Sequence, residues 1–364
     1  MAMYGLADGG LSLLCAPLVV RFGVRPSLIA GYLVCGLSFV FLSFHPPFAG
    51  IVAILGLAGF ALSVARLSLR TFMAGIAALD ERLRTFSTTY IGVNAGAAIG
   101  LSFAFSIPFR THPAVSLLAA AAGYLLAGAW IAASLHAPIS PPEPITLPQL
   151  VRAFTGRATA NLGVRAGWRY VAISFAGAYC MFLLFELTAP YFEVSIGAPP
   201  ELGRFFAINA LCIIVGQRYV TTLFRRCTSG MSDAWLATGF IWNALGIGLL
   251  AYWWRVDLVW VSVIFITLGE MFLLPHIDFL LSQRTHPSLH PYFFSLIQVS
   301  FAIGRAFVAG FGLRYLDLAQ QHHWSLSTWW YANAIAIAVI AAWLLYRALR
   351  TKKISTETLA EINQ

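Results

Sequence analysis

The stretch Leu18-Val19-Val20-Arg21-Phe22-Gly23-Val24-Arg25-Pro26-Ser27-Leu28-Ile29-Ala30-Gly31 sets two arginines in a six-residue gap between long apolar runs. A turn in a soluble core can use Gly23 and Pro26, but it does not normally have about twenty apolar residues on each side, the length that crosses a bilayer. The whole chain shares this character. Its 364 residues are 59% hydrophobic and 10% charged, with a mean hydropathy of +0.78, whereas an ordinary soluble domain is about 45–50% apolar and about 25% charged. The chain is read as a membrane protein. Uninterrupted runs of helix-spanning length exclude the short alternating strands of a transmembrane barrel. Tryptophans near segment ends (Trp253, Trp254, Trp324, Trp329, Trp330) suit rings at the membrane interface.

Candidate spans fall near 3–21, 26–44, 49–74, 88–108, 114–135, 170–192, 203–223, 234–254, 257–281, 291–315 and 327–348. The expected architecture is therefore all-α and integral to the membrane, with about eleven transmembrane helices in two pseudo-repeated bundles. An N-terminal bundle of about five helices covers 1–135, a central linker 136–169, a C-terminal bundle of six 170–349, and a tail 350–364. In the linker, prolines break helix, and Arg152, Arg157, Arg165 and Arg169 mark the segment after Leu147 as a surface-lying amphipathic helix.

Positively charged loops stay in the cytoplasm. If the loop with Arg21 and Arg25 faces inward, so do Arg82, Arg84, the linker arginines, Arg225, Arg226, Arg284, Arg347, Arg350, Lys352 and Lys353. The outward set holds only Arg110, Arg204, Arg255 and Arg314. This assignment places the chain in the inner (plasma) membrane with its C-terminus cytoplasmic and its N-terminus outside. Carriers built from two repeats normally have an even number of crossings, so one helix is expected to be missing from the front of the first half, through a late start or a truncation.

Ala16-Pro17-Leu18-Val19-Val20-Arg21-Phe22-Gly23-Val24-Arg25-Pro26 resembles the signature of the major facilitator superfamily after its second helix, roughly G-x-L-A-D-R-x-G-R-R. Arg21, Gly23 and Arg25 match, and the resemblance implies that they form a conformational-switch loop. Val20 stands where the family has an acidic residue that latches the two halves, so the latch is expected to be weakened or rebuilt. The absent helix would then be the first of the family's twelve. Gly92-Val93-Asn94-Ala95-Gly96-Ala97-Ala98-Ile99-Gly100-Leu101 is similar to the antiporter signature of the fifth helix. Gly92, Gly96 and Gly100 fit it; alternatively, glycines four apart let two helices pack closely. Residues 268–281 and 294–312 resemble bacterial drug:proton antiporter-type members.

Ionisable side chains deep in a span are costly unless paired or hydrated, and so are functional candidates. Asp8, Arg66, Arg70, Glu186, Arg218, Glu270, His276, Asp278 and Arg305 are such residues. Glu270 and Arg305 are expected at equal depth in adjacent antiparallel helices, either as a structural ion pair or as a proton site whose state biases which side opens. Glu186, beside Pro190, is a cation or proton site or a solvated residue at the outer mouth. Asp278 and His276 fall toward the cytoplasmic end, lining a gate or pairing with loop arginines. Arg66 and Arg70, one turn apart on one face, hold an anionic solute or snorkel to the interface. Asn94, Asn209, Asn243, Gln298, Tyr179, Tyr191 and Trp242 are candidates to line the path.

No enzyme motif is present. There is no phosphate-binding GxxxxGK[ST] loop and no metal-spaced Cys/His set, so no cofactor and no metal are expected. Cys15, Cys35, Cys180, Cys212 and Cys227 lie mostly inside apolar runs and are read as small core residues. The +9 formal charge is scattered over short connections rather than gathered on one face, which argues against nucleic acid. The expected partners are a small-molecule substrate, protons and the lipid bilayer, for a monomer. The leading expectation is a secondary transporter of a small organic solute working by proton-coupled efflux. The alternatives are a siderophore, amino-acid or peptide carrier of the same fold, and an inactive truncated relative.

Overall fold

The computed structural model describes residues 6–79, 81–106, 113–135, 163–188, 190, 202–226, 232–252 and 256–362. The expected linker helix after Leu147 lies outside these residues up to 162, as does Tyr191.

Every regular element among the described residues is helical. A π turn, Leu6–Gly10, leads into α1 (Ser12–Phe22), followed by α2 (Val24–Leu42), α3 (Phe48–Ile76), α4 (Arg82–Ser106) and α5 (Pro113–Ser134). Then come α6 (Val164–Phe182) with a π turn at Leu183–Leu187, α7 (Leu202–Arg226), α8 (Ser232–Leu250) and α9 (Val256–Arg284). The last are α10 (His290–Phe307), a π turn at Val308–Gly312, α11 (Leu313–His322) and α12 (Ser327–Ile362). Because α10, its π turn and α11 run on as one span, the order reproduces the eleven expected crossings. Among the described residues nine helices are long and apolar enough to cross a membrane, and α1 is a shorter apolar helix. Helix α4 is long enough but diluted by Arg82, Arg84, Thr85, Ser87, Thr88, Thr89 and Asn94.

The opening stretch is a one-residue joint. Phe22 ends α1, Val24 begins α2, and Gly23 between them has φ 88° and ψ 157°. Only glycine enters this region without steric penalty. Its N–H still donates to Val19 O at 3.0 Å, closing the last turn of α1. Pro26 sits in the first turn of α2, where the N–H it lacks has no intrahelical acceptor anyway.

A second proline shapes α9. Pro275 cannot donate to the carbonyl of Met271, four residues back. That carbonyl instead accepts from the Gln217 side-chain Nε2 on α7, at 3.3 Å. The proline is thereby accommodated without leaving that acceptor orphaned.

The chain forms two compact units. One comprises 1–86, 99–175 and 277–304, the other 87–98, 176–276 and 305–364, so neither unit is one continuous half. In the first, α2 packs on α3 and α5. Small residues permit the approach: a Cβ on Gly31 would lie 2.7 Å from Ala61 O and 2.9 Å from Ala65 Cβ. Cys35, Ala58, Ala61 and Leu62 form a core beside Phe39 and Tyr124. In the second unit α8 packs on α12, and Ser262 Oγ of α9 donates to Gly246 O of α8 at 2.6 Å. Ile213, Val220, Trp235, Met271 and Phe272 make its core. Cys15, Cys35 and Cys180 are buried free thiols, Cys212 is half-buried, and Cys227 lies outside the described residues.

Candidate functional site

Glu270 lies near the middle of α9, fourteen residues from its start, which at 1.5 Å per residue is about 21 Å along the axis. It is only 3% exposed. Its Oε2 accepts from Tyr90 Oη of α4 at 3.2 Å and from Asn209 Nδ2 of α7 at 3.1 Å. The Asn209 amide also donates to Thr267 Oγ1, one turn before Glu270, at 3.0 Å. The other carboxyl oxygen, Oε1, is buried with no hydrogen-bond partner among the described residues. On the preceding residue, Gly269 lies against the Asn243 amide, since a Cβ there would be 2.5 Å from Asn243 Nδ2. A bulkier residue at 269 would push α8 from α9 beside the carboxyl group.

The expected Glu270–Arg305 pair does not form. Arg305 Nη2 instead meets Glu186 Oε1 at 2.7 Å, and its guanidinium sits 5.7 Å from the Phe182 ring centroid. The reason is local helix geometry. Glu186 lies in the π turn after α6, Arg305 lies just before the π turn after α10, and these two turns pack on each other with Gly312 against Leu187. A π turn inserts one extra residue, which shifts the direction of Glu186 within its turn, whereas Arg305 precedes its turn and keeps the phase of α10. Tyr179 and Asn333, also in this unit, are joined by a hydrogen bond.

The first unit pairs its charges as well. Arg66 Nη1 meets Asp8 Oδ2 at 2.6 Å, and Arg70 Nε meets Asp278 Oδ2 at 3.1 Å. Arg66 and Arg70 thus share a face as their spacing requires, but each engages a carboxylate rather than simply reaching for the interface. Ser63, one turn before Arg66, donates to Gln298 Oε1 of α10 at 2.8 Å.

The loop residues are also engaged. Arg25 Nη2 donates to Ala132 O in the last turn of α5 at 3.0 Å, a favourable place for a cation because that helix end carries unpaired carbonyls. Arg21 lies over the Phe22 ring at 5.6 Å. The glycines of α4 behave differently from helix-packing residues: among the described residues a Cβ on Gly92, Gly96 or Gly100 would meet nothing within 4 Å. The close approaches are made elsewhere, at Gly31, Gly36, Gly239, Gly246 and Gly269. His276 has its ring 4.5 Å from Phe224 and 5.4 Å from Trp235, in a packed aromatic setting.

Sequence reasoning found Glu270 and Asn209 but passed over Tyr90 and Thr267, which complete the same group. Tyr90 falls within one of the runs of α4, and no motif distinguishes it from the chain's other twelve tyrosines.

Apolar helices long enough to cross a bilayer, one of them carrying a buried carboxyl group midway along its length, fit a multi-pass membrane protein. The sequence model of the Major Facilitator Superfamily matches residues 1–309, and the chain belongs to this family. Among solved structures it is similar to the human organic anion transporter MFSD10 (TETRAN), with TM-score 0.72 and 14% identity over 96% of this chain and 83% of that one. It is also similar to the E. coli fucose:proton symporter FucP, with TM-score 0.70 and 13% identity over 95% and 89%. A third is a peptide transporter, POT, with TM-score 0.65 and 16% identity over 96% and 85%. No curated protein matches the chain by sequence.

Proposed function

We propose that the chain is a secondary transporter that moves a small organic solute by alternating access, coupled to protons at Glu270 and working as an exporter. The observation that carries the coupling is a contrast between acids. Asp8, Glu186, Asp233 and Asp278 each face an arginine, whereas Glu270 has neutral hydrogen-bond donors and no cation at ion-pair distance among the described residues. Holding a negative charge there costs free energy whenever water is excluded. A proton removes that charge, and opening to one side admits water that stabilises it. Loading and release of the proton thereby favour different conformations.

Tyr90 and Asn209 hold the carboxyl group by one oxygen and leave the other to take or give the proton. Arg305 acts with Glu186 rather than with Glu270. The test is Glu270→Gln in proteoliposomes, assayed with a panel of radiolabelled organic solutes. Exchange of solute down its own gradient is retained, while accumulation driven by an imposed pH gradient is lost. Gradient-driven accumulation equal to that of the unaltered chain removes Glu270 from the coupling.

A further inference from the structure

The first unit holds a second group of polar side chains that proton coupling at Glu270 does not use. Arg66 stands in the most buried stretch of α3: residues 61–65, 67 and 68 are all buried, yet the Arg66 side chain is 55% exposed. It is ten residues from the C-terminal end of a 29-residue helix, about 15 Å along the axis. A half-exposed guanidinium at that depth is not stable against hydrocarbon. A water-filled opening is the setting that suits it.

Asp8, on the opening π turn, is its partner at 2.6 Å. Next to Asp8, Gly9 lies against α10 at Ala302 and the Gln298 carbonyl. Gln298 is 6% exposed; its oxygen accepts from Ser63, and its Nε2 is buried with no hydrogen-bond partner among the described residues. A buried amide donor without an acceptor is costly, and it stands here beside a hydrated charge pair. Tyr32 and Tyr124, on the α2 and α5 helices that pack together in the same unit, are both half-buried and stack with ring centroids 6.2 Å apart. They supply a flat apolar wall.

We infer that Arg66, Asp8 and Gln298, walled by Tyr32 and Tyr124, bind a zwitterionic solute that carries a carboxylate and an amino group on an apolar body, of the α-amino acid kind. The chemistry follows from the pair itself. A simple anion would gain Arg66 but meet the like charge of Asp8; a simple cation would gain Asp8 but meet Arg66. A zwitterion offers each partner its opposite, so the ion pair opens with all four charges still matched. The guanidinium fork suits a carboxylate, the Asp8 carboxylate takes the ammonium group, and the Gln298 amide donates to the second carboxylate oxygen. This rests on the transporter reading above and names its substrate class.

The test measures equilibrium binding to the full chain purified in detergent, with no gradient, so a failure of coupling at Glu270 does not affect it. The probes are the twenty protein amino acids; for the strongest, the N-acetyl derivative (anion only) and the carboxamide (cation only) follow. The expected result is saturable binding of at least one apolar amino acid, with both derivatives about tenfold weaker or worse, as loss of a charge-assisted contact requires. Arg66→Lys weakens binding, and Asp8→Asn weakens it while improving the N-acetyl derivative relative to the parent. No binding by any member of the panel, or an N-acetyl derivative that binds as tightly as its parent, overturns the proposal. Because the comparison among ligands uses the unaltered chain, it stands even if a variant does not fold.

Discussion

Replacing Gly31 with alanine tests the packing that holds Arg66 in place. An added Cβ would lie 2.7 Å from Ala61 O and 2.9 Å from both Ala65 N and Ala65 Cβ. Two of those three atoms belong to backbone and cannot rotate away. Relaxing to ordinary contact, about 3.5 Å, parts α2 from α3 by about 0.6–0.8 Å. Overpacking of this kind costs about 1–3 kcal/mol. Alanine also returns about 1 kcal/mol of helix preference over glycine, which hides part of the loss. Gly56→Ala on α3 is the control, because a Cβ there meets nothing within 4 Å among the described residues and only the helix preference remains. The difference between the two variants isolates the overpacking. Denaturant unfolding in detergent, followed by tryptophan fluorescence, should place Gly31→Ala about 1–3 kcal/mol below Gly56→Ala. Equal stability of the two variants would refute close approach of α2 to α3 at this point.

The remaining predictions concern the backbone. Gly23→Ala forces a side chain into φ 88°, ψ 157° and should cost about 1–3 kcal/mol, read by the same unfolding assay; a neutral result would mean that the joint can relax. Gln217→Leu removes the donor to Met271 O, leaving a buried carbonyl unpaired at a cost of about 1–3 kcal/mol. Adding Pro275→Ala to Gln217→Leu should recover part of that loss, because residue 275 then donates to the same oxygen within the helix.

Much of the fold was legible because bilayer thickness sets a length that apolar runs must meet. Among the described residues nine helices meet that length, whereas the one-residue joint at Gly23 was not read from the sequence, which showed a six-residue gap there. Pairing of the charges was only half legible. Arg66 and Arg70 share a face through simple periodicity, and depth along α9 placed Glu270 correctly at mid-span. Depth does not fix direction, however. The π turns at Leu183–Leu187 and Val308–Gly312 pack on each other where Glu186 meets Arg305, and no residue type announces them; Arg305 was matched with Glu270 on depth alone. Glycine spacing misled for a related reason: the spacing of Gly92, Gly96 and Gly100 shows that a helix could be approached closely, while the approach itself depends on a neighbour that occurs instead at Gly31 and Gly269.

The hydrogen bond from Gln217 to the Met271 carbonyl makes positions 217 and 275 an evolutionary pair, although 58 residues of chain separate them. A lineage that lost the proline would restore the ordinary helical donor and relieve position 217 of its amide; one that lost the amide first would carry an exposed acceptor through every generation until the proline followed. Substitutions at the two sites should therefore travel together through divergent relatives, with proline at 275 accompanied by a donor side chain at 217. Covariation of this kind would trace a carbonyl that no side-chain alignment displays.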